Sequence, residues 1–147
     1  MKIEIFCDGA VRSDGKDRYA AAACAFVMYK NKKQAYSAYR MLSASDVTSN
    51  EAEYEAVIFA LISAIAMDCH NPIIYTDSAT VYNQITHRWA CKSPRLVPLL
   101  FTIKKIQQTF NFTIQHVSRK YVAIADQLCN EILDEFQGLV PSEDLDI

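Results

Sequence analysis

Apolar residues alternate with polar ones at the start of the chain and place Ile3, Ile5 and Cys7 on one face. This period of two is typical of a half-buried β-strand. A polar loop is expected over Val11–Arg18, and two further apolar segments are separated by the turn Asn31-Lys32-Lys33. We therefore predict an antiparallel meander of three strands, at residues 2–8, 19–29 and 34–41.

The apolar period then lengthens to that of an amphipathic helix. Thr48-Ser49-Asn50-Glu51 has the pattern of a capping box, and apolar residues at helical spacing follow it: Val57, Ala60, Leu61, Ala64 and Ile65. Ser93-Pro94 has the pattern of a second helix start. The other predicted elements are a strand at 72–76, a helix at 79–88, a strand at 112–117 and a last helix that Gly138 ends. The order βββαβααβα predicts an α/β fold with a mixed sheet and helices.

The length and composition suit one domain with a sizeable core, since 51% of the 147 residues are hydrophobic. We expect this domain at 1–138, followed by an acidic tail at 139–147. No apolar run reaches the length of a membrane span, and Glu4 stands where a signal peptide would stay apolar. The sequence therefore predicts a cytoplasmic protein without membrane association. The five cysteines form no CxxC pair, so we expect reduced packing residues rather than zinc ligands.

The net charge of −2 conceals an uneven distribution of charged residues. Residues 121–147 contain seven acidic residues and no basic one. Residues 1–120 contain all 15 Lys and Arg residues with ten acidic residues, which leaves this part of the chain at +5. A surface of this charge can meet a phosphate backbone.

Four carboxylates stand at the edges of apolar segments: Asp8, Glu53, Asp77 and Asp126. Burying one carboxylate alone is costly, because it loses its hydration without gaining a partner. Four of them can be tolerated together around hard cations, and oxygen ligands suit Mg²⁺ or Mn²⁺. Two such ions can clamp an in-line displacement at a phosphodiester. The four residues are therefore candidate metal ligands.

Structural interpretations compete with this one: Asp8-Gly9 alone, for example, could be a turn. Glu51 fits the partner of a capping box, Glu53 shares the buried face of the first helix, and Glu55 turns towards solvent. Asp77 alone could be a helix N-cap, and Asp126 alone could simply suit the helix dipole. The occurrence of four carboxylates in this order of elements is what favours a metal site.

The motifs that carry these residues resemble those of the type 1 ribonuclease H family, over residues 2 to about 136. In chain order they are Asp8-Gly9-Ala10, Thr48-Ser49-Asn50-Glu51-Ala52-Glu53, Thr76-Asp77-Ser78, and His116 followed ten residues later by Asp126. The resemblance implies a ribonuclease H-like fold: a five-stranded mixed sheet, with three antiparallel strands and then two parallel ones, flanked by helices.

The resemblance also implies endonucleolytic cleavage of the RNA strand of an RNA–DNA hybrid, leaving 5′-phosphate and 3′-hydroxyl ends. Two Mg²⁺ ions, which Mn²⁺ can replace, would be held by Asp8, Glu53, Asp77 and Asp126. His116 would assist proton transfer or product release, or else be a strand-end residue bonded to backbone. The residues expected to contact the substrate are Gly9, Ala10, Arg12, Lys16, Asn50, Ser78 and Arg119. For Asn50, a role in starting the helix is the structural alternative.

The chain departs from the family where other members handle substrate. The loop after Asp8 keeps only Gly15 as a flexible residue, and no basic protrusion fits between the helices near Trp89. Trp89 is expected either at the DNA strand or as a buried anchor. Further basic candidates for phosphate contact are Arg18, Lys92, Arg95 and Lys120. We expect a monomer, and these departures predict that it binds its substrate weakly or needs a protein partner.

Two other functions are compatible with the same residues. Another nuclease of the same superfold, such as a junction resolvase or a transposase core, would use the carboxylates on DNA. A module that keeps the fold without catalysis would only bind nucleic acid. The motif spacing argues against the first alternative, and the presence of all four carboxylates argues against the second.

Overall fold

The computed structural model describes residues 1–12, 21–42 and 46–139. The elements along the chain are β1 (Ile3–Arg12), β2 (Ala21–Lys30), β3 (Lys33–Leu42), α1 (Ser49–Ala66), β4 (Ile73–Thr76), α2 (Ala79–Ile85), α3 (Val97–Gln107), β5 (Thr113–His116) and α4 (Ala123–Leu139). A 3₁₀ turn at Arg119–Val122 leads into α4. The predicted order of strands and helices is confirmed.

The five strands form one sheet in the order β3-β2-β1-β4-β5. β1 pairs antiparallel with β2 and parallel with β4. β3 continues the sheet antiparallel to β2, and β5 continues it parallel to β4. The predicted sheet of three antiparallel and two parallel strands is confirmed. β1 is its central strand, where the two directions of pairing meet.

Helices cover both faces of the sheet. On one face, α1, α2 and α3 enclose the larger core, in which Ile5, Phe26, Leu61 and Ile74 are buried. On the other face, α4 packs over β1, β2 and β3. The inward side chains of β2 on that face are small, namely Ala21, Ala23, Ala25 and Val27, so the helix backbone can lie close to the strand.

The cysteines behave as predicted. All five are free thiols; Cys7, Cys24, Cys69 and Cys129 are buried, and Cys91 is half-buried. Burial raises the pKa of the Cys24 thiol to about 11, which keeps it protonated and unreactive.

The first strand is longer than the sequence pattern predicts. Val11 and Arg12 belong to β1 rather than to a loop, because Ala22 and Ala21 of β2 stand opposite them and continue the ladder. The rest of the predicted loop, residues 13–18, lies outside the described residues. The same is true of residues 19 and 20 of the predicted second strand, and of residues 140–147 of the predicted tail.

The second and third helices are shorter than predicted. α2 ends at Ile85 rather than near Arg88, and His87 then adopts a positive φ of 63°, which a right-handed helix cannot accommodate. α3 begins at Val97, because the Ser93 carbonyl accepts from the amides of Leu96 and Val97 and closes a separate turn. α4 runs through Gly138 and reaches Leu139.

Among the described residues, no helix combines the length and the apolar character that a bilayer crossing requires.

Candidate active site

Three of the four carboxylates meet at one edge of the sheet. Asp8 lies in β1, and Asp77 directly follows β4. The two strands are parallel, and Phe6 of β1 pairs with Tyr75 of β4. Asp8 and Asp77 each lie two residues after this pair, so they are side by side. Glu53 reaches the same edge from the second turn of α1. One carboxylate oxygen from each of Asp8, Glu53 and Asp77 lies within 4.8 Å of the other two.

Gly9 allows α1 to approach this edge. A Cβ atom at position 9 would lie 2.3 Å from the carbonyl carbon and oxygen of Ala52 and 2.7 Å from the amide nitrogen of Glu53. These are backbone atoms and cannot rotate away, so glycine is required here. At this close approach the Gly9 amide donates a hydrogen bond to Glu53 Oε1.

Asp126 approaches the cluster from the opposite side of the sheet. It lies in the first turn of α4, is half-buried and is close enough to Asp8 to interact with it directly. Its carboxylate accepts a 3.4 Å hydrogen bond from the side-chain amide of Asn130. The structure therefore brings all four predicted carboxylates to one place, with three in close contact and Asp126 at their flank.

The electrostatics of this group are unfavourable without a counter-charge. Burial, followed by the neighbouring carboxylates Asp77 and Asp126, raises the pKa of Asp8. Burial and the proximity of Asp8 and Asp77 likewise raise the pKa of Glu53 well above its ordinary value. Oδ1 of Asp77 is buried without a hydrogen-bond partner. A carboxyl oxygen without a partner, beside two acids whose pKa values are raised, fits a divalent cation that would bind all three side chains.

The structural alternatives for the acids are decided by their contacts. Ser78, not Asp77, is the N-cap of α2, since its hydroxyl accepts from the amide of Val81 at 3.2 Å. Glu51 completes the predicted capping box with Thr48. Glu55 is partly buried rather than free in solvent, because it forms a 3.0 Å ion pair with Arg40.

The carboxylates lie in an open cleft of about 450 Å³. Several of the predicted substrate-contacting residues line it: Gly9, Ala10, Arg12, Ser78 and Arg119. Arg12 is already engaged, because its guanidinium donates to Asp134 Oδ1 (2.5 Å), Gln137 Oε1 (2.8 Å) and Asn130 Oδ1 (2.9 Å) on α4. Arg119 is exposed at the rim of the cleft.

Other predicted residues stand around the cleft. His116 is exposed at the end of β5, and its Nε2 lies 3.2 Å from the carbonyl oxygen of Asp77. Asn50 is exposed in the first turn of α1, and its neighbour Ser49 lines the cleft. Lys16 and Arg18 lie outside the described residues.

The further basic candidates differ in their contacts. Arg95 is held by ion pairs with Asp46 (2.9 Å) and Glu51 (2.8 Å). Lys92 and Lys120 are exposed. Trp89 is 50% exposed, so the expectation of a buried anchor is wrong and the indole is available to a ligand.

Sequence reasoning missed Ser49 and Asn130 as residues of the cleft. Asn130 follows Asp126 by four residues, and side chains at this spacing are neighbours on a helix. Its contact with the carboxylate could therefore have been predicted from the sequence. Ser49 stands inside the predicted capping box, where a structural role accounted for it.

Comparison with known proteins places the chain among nucleases of one family. Residues 7–132 match the family described as Reverse transcriptase-like. A ribonuclease H of Clostridium botulinum is 32% identical over 92% of this chain and 97% of its own length. The crystal structure of RNase H1 from Halobacterium salinarum superposes with a TM-score of 0.82 at 27% identity, covering 92% of this chain and 99% of the other. LC11-RNase H1, solved in complex with an RNA/DNA hybrid, superposes with a TM-score of 0.81 at 26% identity, covering 91% and 98%.

Proposed function

Because this chain belongs to the type 1 ribonuclease H family, we propose that it hydrolyses the RNA strand of RNA–DNA hybrids endonucleolytically. The observation that carries the proposal is the meeting of Asp8, Glu53, Asp77 and Asp126 in one open cleft, with Oδ1 of Asp77 buried and unpaired. A hybrid bound to a structural neighbour supports the choice of substrate.

Two divalent cations, Mg²⁺ or Mn²⁺, are the cofactors that suit this cleft. Asp8, Glu53 and Asp77 would hold one ion between them, and Asp126 with Asp8 would hold the other. When bound, the pair supplies charge that activates a water molecule and stabilises the leaving 3′-oxygen, so the products carry 5′-phosphate and 3′-hydroxyl ends.

Protein groups around the carboxylates would orient Glu53, transfer protons and contact the substrate backbone. The Gly9 amide fixes one oxygen of Glu53, which leaves the other oxygen for the cation and for the ribose 2′-hydroxyl that distinguishes RNA from DNA. His116, exposed beside the Asp77 carbonyl, is placed to take up or release a proton at the rim. Arg119 and Ser78 would contact the backbone of the hybrid from the walls of the cleft.

The enzyme would act in the cytoplasm as a monomer, with Lys16 and Asn50 adding substrate contacts. A protein partner could compensate for the substrate-binding elements that the sequence lacks. The domain would span residues 1–138, with 139–147 as an acidic tail.

The test is cleavage of an end-labelled RNA–DNA hybrid in Mg²⁺ and in Mn²⁺, beside duplex DNA and duplex RNA. The expected result is cutting of the hybrid's RNA strand alone, lost in the Asp77→Asn variant. Cutting of duplex DNA would instead favour another nuclease of the superfold. Binding of the hybrid without cutting in either metal would favour a non-catalytic module.

A further inference from the structure

We infer that Asn130 is a positioning residue that orients Asp126 toward the other three carboxylates, and that Arg12 fixes the amide of Asn130 for this purpose. The inference rests on the proposed function, since it concerns the carboxylate assigned to the second cation. The contact between Arg12, at the end of β1, and Asn130, in the middle of α4, is not part of the family motifs.

The orientation of the Asn130 amide follows from its two neighbours. An arginine guanidinium can only donate hydrogen bonds, so the atom 2.9 Å from Arg12 Nη2 must be the carbonyl oxygen of the Asn130 side chain. The NH₂ group must then face the opposite way. There it lies 3.1 Å from the backbone carbonyl oxygen of Asp126 and 3.4 Å from its Oδ2. Arg12 therefore selects the rotamer in which Asn130 donates to Asp126.

The bond to the Asp126 backbone alone would not indicate a special role. Asn83 donates in the same way to the carbonyl of Ala79 in α2, at 2.8 Å, and this is an ordinary contact of asparagine in a helix. Asn130 differs because its amide nitrogen also lies 3.4 Å from the carboxylate of Asp126, and its side-chain oxygen accepts from the Arg12 guanidinium. The oxygen and the nitrogen of the Asn130 side-chain amide therefore both have hydrogen-bond partners.

Arg12 is itself fixed by three residues of α4. Its guanidinium donates to Asn130, Asp134 and Gln137, which follow one another at helical spacing on the same stripe of the helix. The arginine side chain is only 28% exposed. A guanidinium held by several acceptors has few alternative conformations, so it can hold the Asn130 amide in one orientation.

A neutral donor suits the function proposed for Asp126. An amide holds the carboxylate by a hydrogen bond without neutralising its charge, which stays available to a cation. A lysine or arginine in place of Asn130 would compete with the cation for the same oxygens. Hydrogen-bonding partners behind a metal ligand characteristically affect metal affinity and turnover rather than substrate binding.

The inference is tested with Asn130→Leu, which keeps the approximate volume and removes all three side-chain hydrogen bonds, the one from Arg12 and the two to Asp126. Gln127→Leu is the matched control, because the Gln127 amide donates to Glu131 Oε1 at 3.1 Å on the exposed side of the same helix. Asn130→Ala is measured as a second variant, so that a packing defect of leucine cannot decide the result. Circular dichroism establishes which variants are folded.

Two readouts are needed. In steady-state cleavage of the hybrid, Asn130→Leu should lower kcat by about 10- to 100-fold with little change in KM, and raise the half-saturating Mg²⁺ concentration. In electron paramagnetic resonance titrations with Mn²⁺ alone, the same variant should bind Mn²⁺ about tenfold more weakly or lose one site. Gln127→Leu should match the wild type in both.

Folded Asn130→Leu and Asn130→Ala proteins that match the wild type in kcat, Mg²⁺ dependence and Mn²⁺ binding would overturn the inference. Weaker Mn²⁺ binding by both variants would support it even if the wild type cut no hybrid. The Mn²⁺ titration and the cleavage assay therefore fail independently, which separates this inference from the proposed function.

Discussion

The backbone amide of Gly9 donates directly to the carboxylate of Glu53, and this bond joins the central strand to the first helix at the candidate active site. The bond exists because position 9 has no Cβ, which would otherwise lie 2.3 Å from the backbone of Ala52. The chain thus uses one glycine to set both the separation of β1 and α1 and the orientation of a proposed metal ligand.

Gly9→Ala should therefore lose stability and activity together. The added methyl group would push α1 away from β1, at a cost of about 1–3 kcal/mol in the free energy of unfolding. Thermal denaturation and hybrid cleavage measure the two effects.

Gly138→Ala is the control, because nothing lies within 4 Å of a Cβ at that position. It should keep full activity and gain a few tenths of a kcal/mol from the higher helix propensity of alanine. Wild-type activity in Gly9→Ala would contradict the requirement for glycine.

Glu53→Gln and Glu55→Gln should behave in opposite ways although the residues are two positions apart on one helix. Glu53 lies among the carboxylates, and its neutral analogue should lower kcat by at least about 100-fold, as for loss of a principal electrostatic group in an active site. Glu55 pairs with Arg40, and its replacement should change stability by no more than about 1 kcal/mol and leave kcat unchanged. Equal activities of the two variants would remove Glu53 from the proposed site.

His116→Ala should lower kcat by about 100-fold with an unchanged KM for the hybrid, if the imidazole moves a proton in the rate-limiting step. The ring is exposed and its Nε2 lies 3.2 Å from the carbonyl oxygen of Asp77, so its loss should not unfold the protein. Comparing single-turnover with steady-state rates separates proton transfer from product release. A kcat equal to that of the wild type would exclude His116 from proton transfer in the rate-limiting step.

The metal-free protein should become less stable as pH rises. The pKa of Asp8 in the native protein is about 7, whereas an ordinary aspartate has a pKa of 3.8. Between these two pH values the native state therefore binds more protons than the unfolded chain. Stability is therefore lost as pH increases through this window, by roughly 1–3 kcal/mol. Melting temperatures in EDTA from pH 5 to pH 8 would show this fall.

Mg²⁺ should restore the stability lost at pH 8, because a cation neutralises the carboxylates that have ionised. Asp8→Asn should flatten the pH dependence and reduce the response to Mg²⁺, since one titrating ligand is gone. A melting temperature that rises with pH in EDTA, or one that Mg²⁺ leaves unchanged at pH 8, would contradict this electrostatic account.

Much of the fold was predictable because it depends on local patterns. The alternation in β1 and the capping box at Thr48 specify a strand and a helix start that depend on few distant contacts. The errors concern the ends of elements, which depend on distant partners or on the exact local turn. Val11 and Arg12 stay in β1 because β2 and α4 hold them, and the pattern around Ser93 could not show that its carbonyl closes a turn before the helix.

The site was predictable in its members but not in its connections. Sequence motifs predicted the four carboxylates; the pairing of β1 with β4 brings Asp8 and Asp77 together, and α1 adds Glu53. Motifs could not show that Arg12 is occupied by α4 and holds the Asn130 side chain, because Arg12 and these partners are more than 110 positions apart. Only the tertiary arrangement distinguishes a phosphate-binding arginine from one that clamps a helix.

The separation between Arg12 and its partners, 118 to 125 residues along the chain, also sets an order in time. A growing polypeptide presents Asp8, Glu53 and Asp77 first, and Asp126 arrives only when α4 is made. Until that helix leaves the ribosome and Arg12 binds it, the candidate active site lacks its fourth carboxylate. In the proposed mechanism, the nuclease therefore stays inactive during synthesis until α4 has docked on the sheet.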